Sequence, residues 1–413
     1  MSKQTILFVG NYNRSDYIDL FSESKNDFNF YFLEYSSSRE VRNTYFKSYG
    51  ESVFWKDYHD AFELLEHLKP IKVLFLFIEA YNHVALNIAC KLSQIPTFHL
   101  EHGLRADYLY NHAHGQQPLP VTLHGLPSKL LKTLTPVIQF RVKLKTRLFL
   151  LNSIECFPTE EAHFMKRFMA VRKRYNFLQT AALIKSSKRQ ADYYIAFSQN
   201  ILNTHQRYDN LTASDKIFYI GIPYFDRFAS VRPAEQVRAV LLIDQPLSEH
   251  GLFGWTKEKK LNFLQNLTEI CSRYRYKLYI KSHPAQKNTS WMLNQTNVEP
   301  IDDGRLFALA PAIPVIIGFY STLLMPFASF RHTTVITYEN HPIGKINVSK
   351  SFIDAGVAHP IYDLEELDAI LQDPEALHRQ QLPHKAKFTE EWMYKFDGRA
   401  GERLRDILLR DDL

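Results

Sequence analysis

The stretch KVLFLFIEAYNHVALNIACKLSQIPTFHLE, residues 72–101, decides the fold class. It opens with the predicted strand KVLFLFIE at 72–79, whose residues 73–78 are all apolar, which is typical of a strand buried on both faces of a sheet. The following segment, HVALNIACKLSQ, has apolar residues at helical spacing, and IPTFHLE (95–101) has the composition of another strand. A strand, a helix and a strand in this order predict a βαβ unit with parallel strands.

The same alternation of apolar runs and helical stretches continues on both sides of this unit. In the first half of the chain, the predicted strands lie at 5–10, 28–35, 72–79, 95–101, 191–198 and 216–223. In the second half they lie at 238–246, 277–284, 314–321 and 333–339, with predicted helices at 257–274 and 323–330. The sequence therefore predicts an α/β fold of two Rossmann-like domains, 1–228 and 229–390, closed by an amphipathic helix in 391–413. Two such domains facing each other would enclose a cleft lined by the carboxyl ends of their strands.

The composition of the chain excludes several classes of protein. Its 413 residues are 45% hydrophobic, and no run approaches the roughly 18 apolar residues of a membrane-spanning helix. The first residues lack a secretory signal, and the three cysteines are too widely spaced for a disulfide framework or a zinc knuckle. The sequence contains no GxGxxG, Walker, HExxH or EF-hand pattern, which argues against the enzymes and sensors that use them. We expect a soluble protein of the cytoplasm.

Positive charge is concentrated in one block of the chain. Residues 129–189 hold fourteen Lys and Arg against three acidic residues, whereas the formal net charge of the whole chain is only +6. The bases alternate with Leu, Phe, Val and Met, which predicts a basic helical insertion at about 125–190. These helices have either solvated basic faces or a surface that attaches to an anionic membrane or acceptor. No nucleic-acid-binding motif accompanies the charge, so we do not expect a nucleic-acid partner.

Polar residues follow the predicted strand 95–101 directly. Glu101, His102 and Gly103 stand at its carboxyl end, and Arg105 follows shortly after. A carboxylate and an imidazole there can act as a base, while glycine allows close approach of a ligand. A plain surface turn is the alternative interpretation. The nearby histidines of 97–115 include a His-x-His pair, but a loop with cleft-facing histidines is favoured over a metal site.

The predicted strand 277–284 ends in a second candidate group. His283 and Pro284 close this strand, and Lys281 lies two residues earlier on the same side of an extended chain. A histidine at this position can donate a charge-assisted hydrogen bond to a phosphate. Glu249, in the loop after strand 238–246, is a second candidate carboxylate. The string at 302–304, Asp-Asp-Gly, is typical of a turn.

The segment IIGFYSTLLMPFAS supplies the third group, a strand-to-helix turn. Gly318 lies at its start, and Ser321 and Thr322 are expected at the amino-terminal cap of the next helix. Hydroxyls together with the free N–H groups of a helix start form a natural phosphate seat. An ordinary helix cap is the alternative interpretation.

Taken in this order, the motifs resemble those of GT-B bacterial glycosyltransferases that build surface polysaccharides from CMP-activated sugars. These are the bacterial sialyltransferases, polysialyltransferases and Kdo transferases, which share an acidic-acidic-Gly motif, a His-Pro motif and a Ser/Thr motif. His283-Pro284 and Ser321-Thr322 match well. Glu101-His102-Gly103 matches in part, because a histidine replaces the second acid. GIPYFDRF (221–228) also resembles a segment of the CDP-glycerol polymerases.

The resemblance implies an enzyme that moves a CMP-activated ulosonic acid, Kdo or sialic acid, onto a lipid-linked or growing surface polysaccharide of lipopolysaccharide or capsule. By resemblance, His283 with Ser321 and Thr322 would neutralise the departing phosphate; Lys281, Pro284 and Gly318 are added to this nucleotide-binding set. The general base or nucleophile would be Glu101, with Glu249 as the second candidate. His102, Gly103, Arg105 and Asp226 would line the acceptor side of the cleft. No divalent metal is expected, because cationic and hydroxyl donors can stabilise the leaving group.

Other functions within the same fold stay open at this point. A UDP-sugar transferase, a CDP-glycerol-type transferase and a nucleotide-sugar 2-epimerase would all suit two Rossmann-like domains. A membrane-associated scaffold with a degenerate transferase fold is the alternative that is not an enzyme, because His102 stands where an acid is expected. For the enzyme, the basic block 129–189 predicts a peripheral position on the inner face of the cytoplasmic membrane.

Overall fold

The computed structural model describes residues 3–104, 136–209, 216–284, 286 and 297–413. These residues divide into two compact units. The first comprises the described residues up to His102, those from 136 to Tyr224, and Arg399–Leu413; the second comprises Gly103, Leu104 and the described part of Phe225–Gly398. The division at 224/225 lies four residues before the predicted domain border, and the closing helix belongs to the first unit.

The first unit is built on a parallel sheet of seven strands within the described residues. These strands are β1 (Gln4–Val9), β2 (Phe28–Leu33), β3 (Gly50–Val53), β4 (Lys72–Phe75), β5 (Thr97–Leu100), β6 (Tyr193–Ala196) and β7 (Ile217–Tyr219). Their order across the sheet is β3-β2-β1-β4-β5-β6-β7. The order reverses between β1 and β4, and the carboxyl ends of such strands are where open α/β sheets bind ligands.

The stretch at 72–101 forms the βαβ unit that its sequence predicts. β4 and β5 are buried at every position, in keeping with strands covered on both faces. The apolar run at 72–79 continues beyond β4, which ends at Phe75, and its last residues form the loop before the next helix. That loop carries Phe77 to the ring of His102, with the ring centroids 4.2 Å apart.

Helices accompany the strands of the first unit. They are α1 (Ser15–Asp19), α2 (Ala61–Leu68), α3 (Tyr81–Leu92), α4 (Pro136–Glu155), α5 (Thr159–Arg174), α6 (Phe177–Leu183), α7 (Gln199–Asp209) and a C-terminal helix (Ala400–Leu409). The described part of the basic block consists mainly of α4, α5 and α6. Phe149 of α4 and Phe168 of α5 are fully buried in the core of this unit, so these helices are an integral part of it. None of the helices in the described residues is both long and apolar enough to cross a membrane.

The C-terminal helix is joined to the first unit by packing and by charge. Leu404 and Leu408 are fully buried. Arg405 donates two hydrogen bonds to the carboxylate of Asp27, at 2.6 and 3.1 Å, and the ammonium of Lys72 donates to the carbonyl of Leu408 at 3.1 Å. The C-terminal helix is therefore bonded to residues at the amino-terminal ends of β2 and β4.

The second unit has a parallel sheet of six strands and a short antiparallel hairpin within its described residues. Its strands are β8 (Ala239–Ile243), β9 (Lys277–Lys281), β10 (Val298–Pro300), β11 (Val315–Gly318), β12 (Thr334–Tyr338), β13 (Asn340–His341), β14 (Gly344–Lys345) and β15 (His359–Ile361). Its helices are α8 (Lys257–Arg273), α9 (Asp303–Leu309), α10 (Leu324–Ser329), α11 (Lys350–Asp354), α12 (Glu366–Gln372), α13 (Pro374–Gln381) and α14 (Lys385–Met393). The six-stranded order is β10-β9-β8-β11-β12-β15, so the switch point lies between β8 and β11.

Among the described residues, three strands of the two parallel sheets are absent from the sequence-based prediction, β3, β10 and β15, as are the two strands of the hairpin. The three each lie at an edge of their sheet and have four residues or fewer. An edge strand has a neighbour on one side only, and short strands of mixed polarity give little periodicity to recognise. The central strands, which the sequence does predict, are mostly apolar because both of their faces are covered.

Candidate active-site residues

The His-Pro motif lies at the carboxyl end of β9, beside the end of β8. β8 and β9 pair in parallel, with Ile243 opposite Lys281. Asp244, the first residue after β8, donates its backbone N–H to the carbonyl of Lys281 at 3.0 Å. His283 lies two residues after Lys281 and is partly buried, while Pro284 is exposed. The motif therefore stands at the edge where the switch point of the second unit lies.

Gln286 holds the loop of the His-Pro motif through both ends of its side-chain amide. Its Oε1 accepts a hydrogen bond from the backbone N–H of His283 at 2.7 Å, and its own backbone N–H donates to the His283 carbonyl at 2.9 Å. Its Nε2 donates to Oδ2 of Asp244 at 2.7 Å. One side chain thus fixes the backbone of His283 to a carboxylate on the neighbouring strand end.

Asp244 is itself half of a buried ion pair. Lys260, from the first turn of α8, contacts Oδ1 of Asp244, and the two side chains are 6% and 1% exposed. The ammonium also donates to the carbonyl of Gln245 at 3.2 Å and lies 4.6 Å from the ring centroid of Phe319. Removing one partner of such a pair leaves an uncompensated buried charge, which costs about 3–5 kcal/mol. The His283 loop is therefore tied to a rigid, buried support.

Lys281 forms an ion pair at the carboxyl end of β9. Its ammonium lies 3.1 Å from the carboxylate of Asp303, whose side chain is 85% exposed. The prediction that the Asp-Asp-Gly string around Asp303 forms a turn is wrong. Asp302 is the amino-terminal cap of α9, and its side chain accepts the N–H of Arg305 at 2.8 Å.

Ser321 and Thr322 form the turn before α10. The hydroxyl of Ser321 accepts the N–H of Leu323 at 3.3 Å, and Thr322 Oγ1 accepts the N–H of Leu104 at 3.2 Å. The helix begins at Leu324, but Leu323 already has helical dihedral angles. The Ser321 hydroxyl accepts the N–H two residues further on, which is the hydrogen bond that a serine makes at the start of a helix.

At two positions of the predicted site, Gly318 and Gly103, the structure gives a steric reason for a glycine. A Cβ added to Gly318 would lie 3.1 Å from the carbonyl oxygen of Ile243 and 3.1 Å from Leu324, so the close packing of β11 on β8 needs a glycine there. Gly103 has a φ of +156°, which side chains rarely adopt, and its added Cβ would lie 3.4 Å from Thr322 Oγ1. Gly318 therefore has a packing function, whatever it does for a ligand.

Glu101 is fully buried at the end of β5. Its carboxylate Oε2 accepts the backbone N–H of Phe197 at 2.5 Å, and its own N–H donates to the carbonyl of Ile195 at 2.9 Å. The pKa of Tyr219 is raised, mainly by burial and further by the negative charge of Glu101. The carboxylate thus fixes the end of the neighbouring strand β6, in addition to any role in chemistry.

His102 stands among aromatic rings. Its ring centroid lies 4.2 Å from that of Phe77, 5.7 Å from that of Tyr17 and 5.9 Å from that of His205. The hydroxyl of Tyr224 donates to its carbonyl at 3.5 Å. These T-shaped and tilted contacts are the ones that an aromatic imidazole makes with other rings. A histidine therefore suits this position, where the related motif has an acid.

Of the remaining predicted residues, Glu249 and Asp226 are among the described residues and Arg105 is not. Glu249 is exposed in the turn after β8, and its carboxylate accepts the hydroxyl of Ser248 at 3.0 Å. Asp226 is partly buried in the 3₁₀ segment Pro223–Ser230 and belongs to the second unit. Arg105 lies outside the described residues. In the part of the chain that the structure describes, no group of three or more His, Cys, Asp or Glu is arranged to hold a metal ion.

The sequence analysis missed Lys260 and Gln286, although the chain carries a signal for the first. Lys260 falls on the buried face of α8, four residues before Leu264 and seven before Leu267. A charged residue on an apolar face needs a buried partner, and Asp244 is an acid at a nearby strand end. Gln286 gives no such signal, because a glutamine in a loop is ordinarily solvated.

Solved structures of glycosyltransferases share the fold of the chain. The calicheamicin glycosyltransferase CalG4 aligns with a TM-score of 0.53 at 13% identity over 100% of both chains. The wall teichoic acid polymerase TagF aligns with a TM-score of 0.51 at 11% identity, over 98% of this chain and 88% of that one. The glycotransferase of kitacinnamycin gives 0.50 at 14% identity, over 99% and 100%. These likenesses confirm the predicted GT-B fold and carry no information about substrate.

Sequence comparison gives the family. No curated protein matches significantly. The family model for alpha-2,8-polysialyltransferases (POLYST), in contrast, matches residues 5–340, a range that contains every predicted motif from Glu101 to Thr322. This match confirms the resemblance drawn from the motifs. The chain is a glycosyltransferase and belongs to the alpha-2,8-polysialyltransferase family.

Proposed function

We propose that the protein transfers a CMP-activated ulosonic acid onto a lipid-linked or growing bacterial surface polysaccharide, of capsule or lipopolysaccharide. Membership of the polysialyltransferase family favours sialic acid over Kdo as the donor sugar. The observation that carries the proposal is the support of His283, whose backbone is fixed through Gln286 to the buried Asp244–Lys260 pair. A rigidly held histidine at a switch point is what stabilisation of a departing phosphate requires.

The reaction breaks the bond between the anomeric carbon and the phosphate oxygen of the donor, and CMP leaves with the bonding electrons. In the proposal, His283 donates to the departing phosphate, and the hydroxyls of Ser321 and Thr322 donate from the end of β11. β9 and β11 both flank β8, so these donors follow strands that are roughly 10 Å apart. Each preorganised donor contributes about 3 kcal/mol to such a transition state. No divalent metal is needed in this scheme, since side chains neutralise the leaving group.

The acceptor hydroxyl forms the new bond to the anomeric carbon and loses its proton to a base. Glu101 is the proposed base or nucleophile, and Glu249 is the second candidate. Glu101 is fully buried and hydrogen-bonded to Phe197, whereas Glu249 is exposed, so the two carboxylates differ sharply in environment. Glu101→Gln keeps a side chain of the same shape that can still accept from Phe197. It should lower transfer by several orders of magnitude while CMP binding persists. Near-normal activity would assign the base to Glu249.

The proposed partners follow from this chemistry: a nucleotide-sugar donor and a glycan acceptor. The acceptor is made at the inner face of the cytoplasmic membrane if it is lipid-linked. The basic block 129–189 would hold the enzyme peripherally on that face, because anionic lipids attract clustered Lys and Arg.

A thermal-shift panel with CMP, UDP and CDP, each with and without Mg²⁺, tests the donor. A nucleotide at 100 times its dissociation constant stabilises the folded state by about 2.7 kcal/mol, which is a measurable shift. We expect CMP alone to stabilise the protein, independently of Mg²⁺. A shift with UDP or CDP only would replace the donor by a UDP-sugar or CDP-glycerol, and a shift with none would favour the scaffold.

Transfer assays with labelled CMP-sialic acid and CMP-Kdo then test the site. His283→Ala should lower kcat about 100-fold or more, since a preorganised donor to the leaving group is lost. Its unfolding midpoint should stay near that of the parent, because His283 is in a loop after β9 and outside the core. His250→Ala is the matched control, since His250 is an exposed histidine of the same unit. Equal activity of both variants would remove His283 from the mechanism.

A further inference from the structure

Three leucines form an exposed apolar stripe on α4. Leu144, Leu148 and Leu151 are 44%, 44% and 38% exposed. Their spacing of four and then three residues places them on one face of the helix, one above another. Scattered single leucines at a surface are ordinary, but a stripe over two turns is a feature that needs an account.

The helix that bears this stripe is firmly held on its other side. Phe149, Leu150 and Ile154 are buried in the core of the first unit. The hydroxyl of Ser153 accepts the backbone N–H of Ala61, the first residue of α2, at 2.9 Å. Burial of these side chains fixes the rotation of α4, and the stripe faces solvent because the opposite face is already used.

The charges beside the stripe are basic, except for Glu155, an exposed acid that ends the helix four residues after Leu151. Arg141, Lys143, Lys145 and Arg147 are exposed and alternate with the leucines, and the sequence from 136 to 154 contains no acidic residue. α5 adds exposed bases at Lys166, Arg167, Lys173 and Arg174. Long basic side chains can extend sideways from an apolar stripe and keep their charges in a polar layer.

We propose that this face, Arg141–Leu151 of α4, is the surface by which the protein docks on an anionic lipid bilayer. The leucine stripe enters the boundary between headgroups and acyl chains, and the flanking bases contact anionic headgroups, as in interfacial helices. A soluble polyanion would satisfy the bases but would leave the leucines in water, which is why the lipid surface is the occupant. The inference deepens the membrane-side role under the proposed function, and it does not depend on which nucleotide the protein binds.

Sedimentation of the full chain with vesicles tests the proposal. Vesicles of phosphatidylcholine with about a third of phosphatidylglycerol should bind the protein, and vesicles of phosphatidylcholine alone should bind it far more weakly. Each base near an anionic surface strengthens binding about fivefold. The double variant Lys143→Glu/Lys145→Glu should therefore lower binding at least about 25-fold. The matched control is Lys257→Glu/Lys259→Glu, two exposed lysines with the same spacing on α8 of the second unit, which should bind like the parent.

A second pair of variants separates the leucine stripe from the charge. Leu144→Ser/Leu148→Ser removes apolar area from an exposed face, so it should fold normally and lose most vesicle binding at unchanged charge. Leu409→Ser, a leucine 43% exposed on the C-terminal helix, is its control. Vesicle binding that is unchanged by the double leucine variant, or binding to dextran sulfate with no binding to anionic vesicles, would overturn the proposal. The CMP-induced thermal shift of these variants should equal that of the parent. If neither the parent nor the variants show a CMP-induced shift, that result counts against the proposed function alone.

Discussion

Gln286 offers a sharp test of how the candidate site is held together. Gln286→Ala removes the acceptor of the His283 N–H and the donor to Asp244, both at 2.7 Å. Each hydrogen bond contributes about 1 kcal/mol net, and leaving a buried partner unsatisfied costs about 1–3 kcal/mol. The free energy of unfolding of the second unit should fall by about 2–4 kcal/mol. Because misplacing a catalytic group by about 1 Å costs about 100-fold in rate, kcat should fall between about tenfold and 100-fold, with a smaller change in KM.

Gln286→Glu distinguishes positioning from simple packing. The new carboxylate can still accept from His283, but it would face the carboxylate of Asp244, to which the amide donates in the parent. Protonation of the introduced carboxyl group would restore a donor toward Asp244, so the activity of this variant relative to the parent should rise as pH falls from about 7 to about 5.

The assay is steady-state transfer from CMP-sialic acid, with urea unfolding measured in parallel. Gln372→Ala is the control, because Gln372 is an exposed glutamine of the same unit whose amide donates to the hydroxyl of Tyr274. A kcat for Gln286→Ala within twofold of the Gln372→Ala value would refute the positioning argument. So would a pH profile of Gln286→Glu parallel to that of the parent.

Three further predictions concern the framework of the fold. Burial lowers the pKa of Lys385 to about 7 in the folded chain, where its ammonium donates to the carbonyl of Ala328. Between pH 7 and about 10.5 the unfolded chain therefore binds more protons than the folded chain. The free energy of unfolding should rise with pH across that window, by up to about 5 kcal/mol. Lys385→Met should flatten this rise in urea unfolding at pH 7, 8.5 and 10, and an unchanged slope would contradict the assignment. Gly318→Ala should lower the free energy of unfolding by about 1–3 kcal/mol, because the added methyl group lies too close to the carbonyl oxygen of Ile243. An unfolding midpoint in urea like that of the parent would show that β8 and β11 can separate there. Deletion of residues 399–413 should destabilise the first unit by several kcal/mol, since it removes buried leucines worth about 2 kcal/mol each and the ion pair with Asp27. The measurement is hydrogen exchange of the backbone amides. Exchange that stays slow in β1 and β4 would show that the helix is dispensable.

The contrast between central and edge strands shows where sequence reasoning works. The runs at 72–79, 238–246 and 314–321 predict β4, β8 and β11, because a strand covered on both faces must be apolar throughout. The strands β3 and β15 escaped prediction because an edge position places a weaker demand on composition. The same reasoning located His283, since a Pro after a buried run marks where a strand ends.

The sequence by itself thus determined the class of fold, the positions of the central strands along the chain and the places where polar residues leave the sheet, all of which depend on local periodicity. Only the tertiary structure decided the partners. Lys260 contacts Asp244 at a separation of 16 residues in the sequence, and Gln286 contacts it at a separation of 42. The C-terminal helix, predicted as a separate closing segment, belongs to the first unit through Arg405 and Asp27. Such pairings depend on which strands become neighbours through crossover connections. A pattern that repeats every two or 3.6 residues predicts single strands and helices, but it does not predict which of them become neighbours.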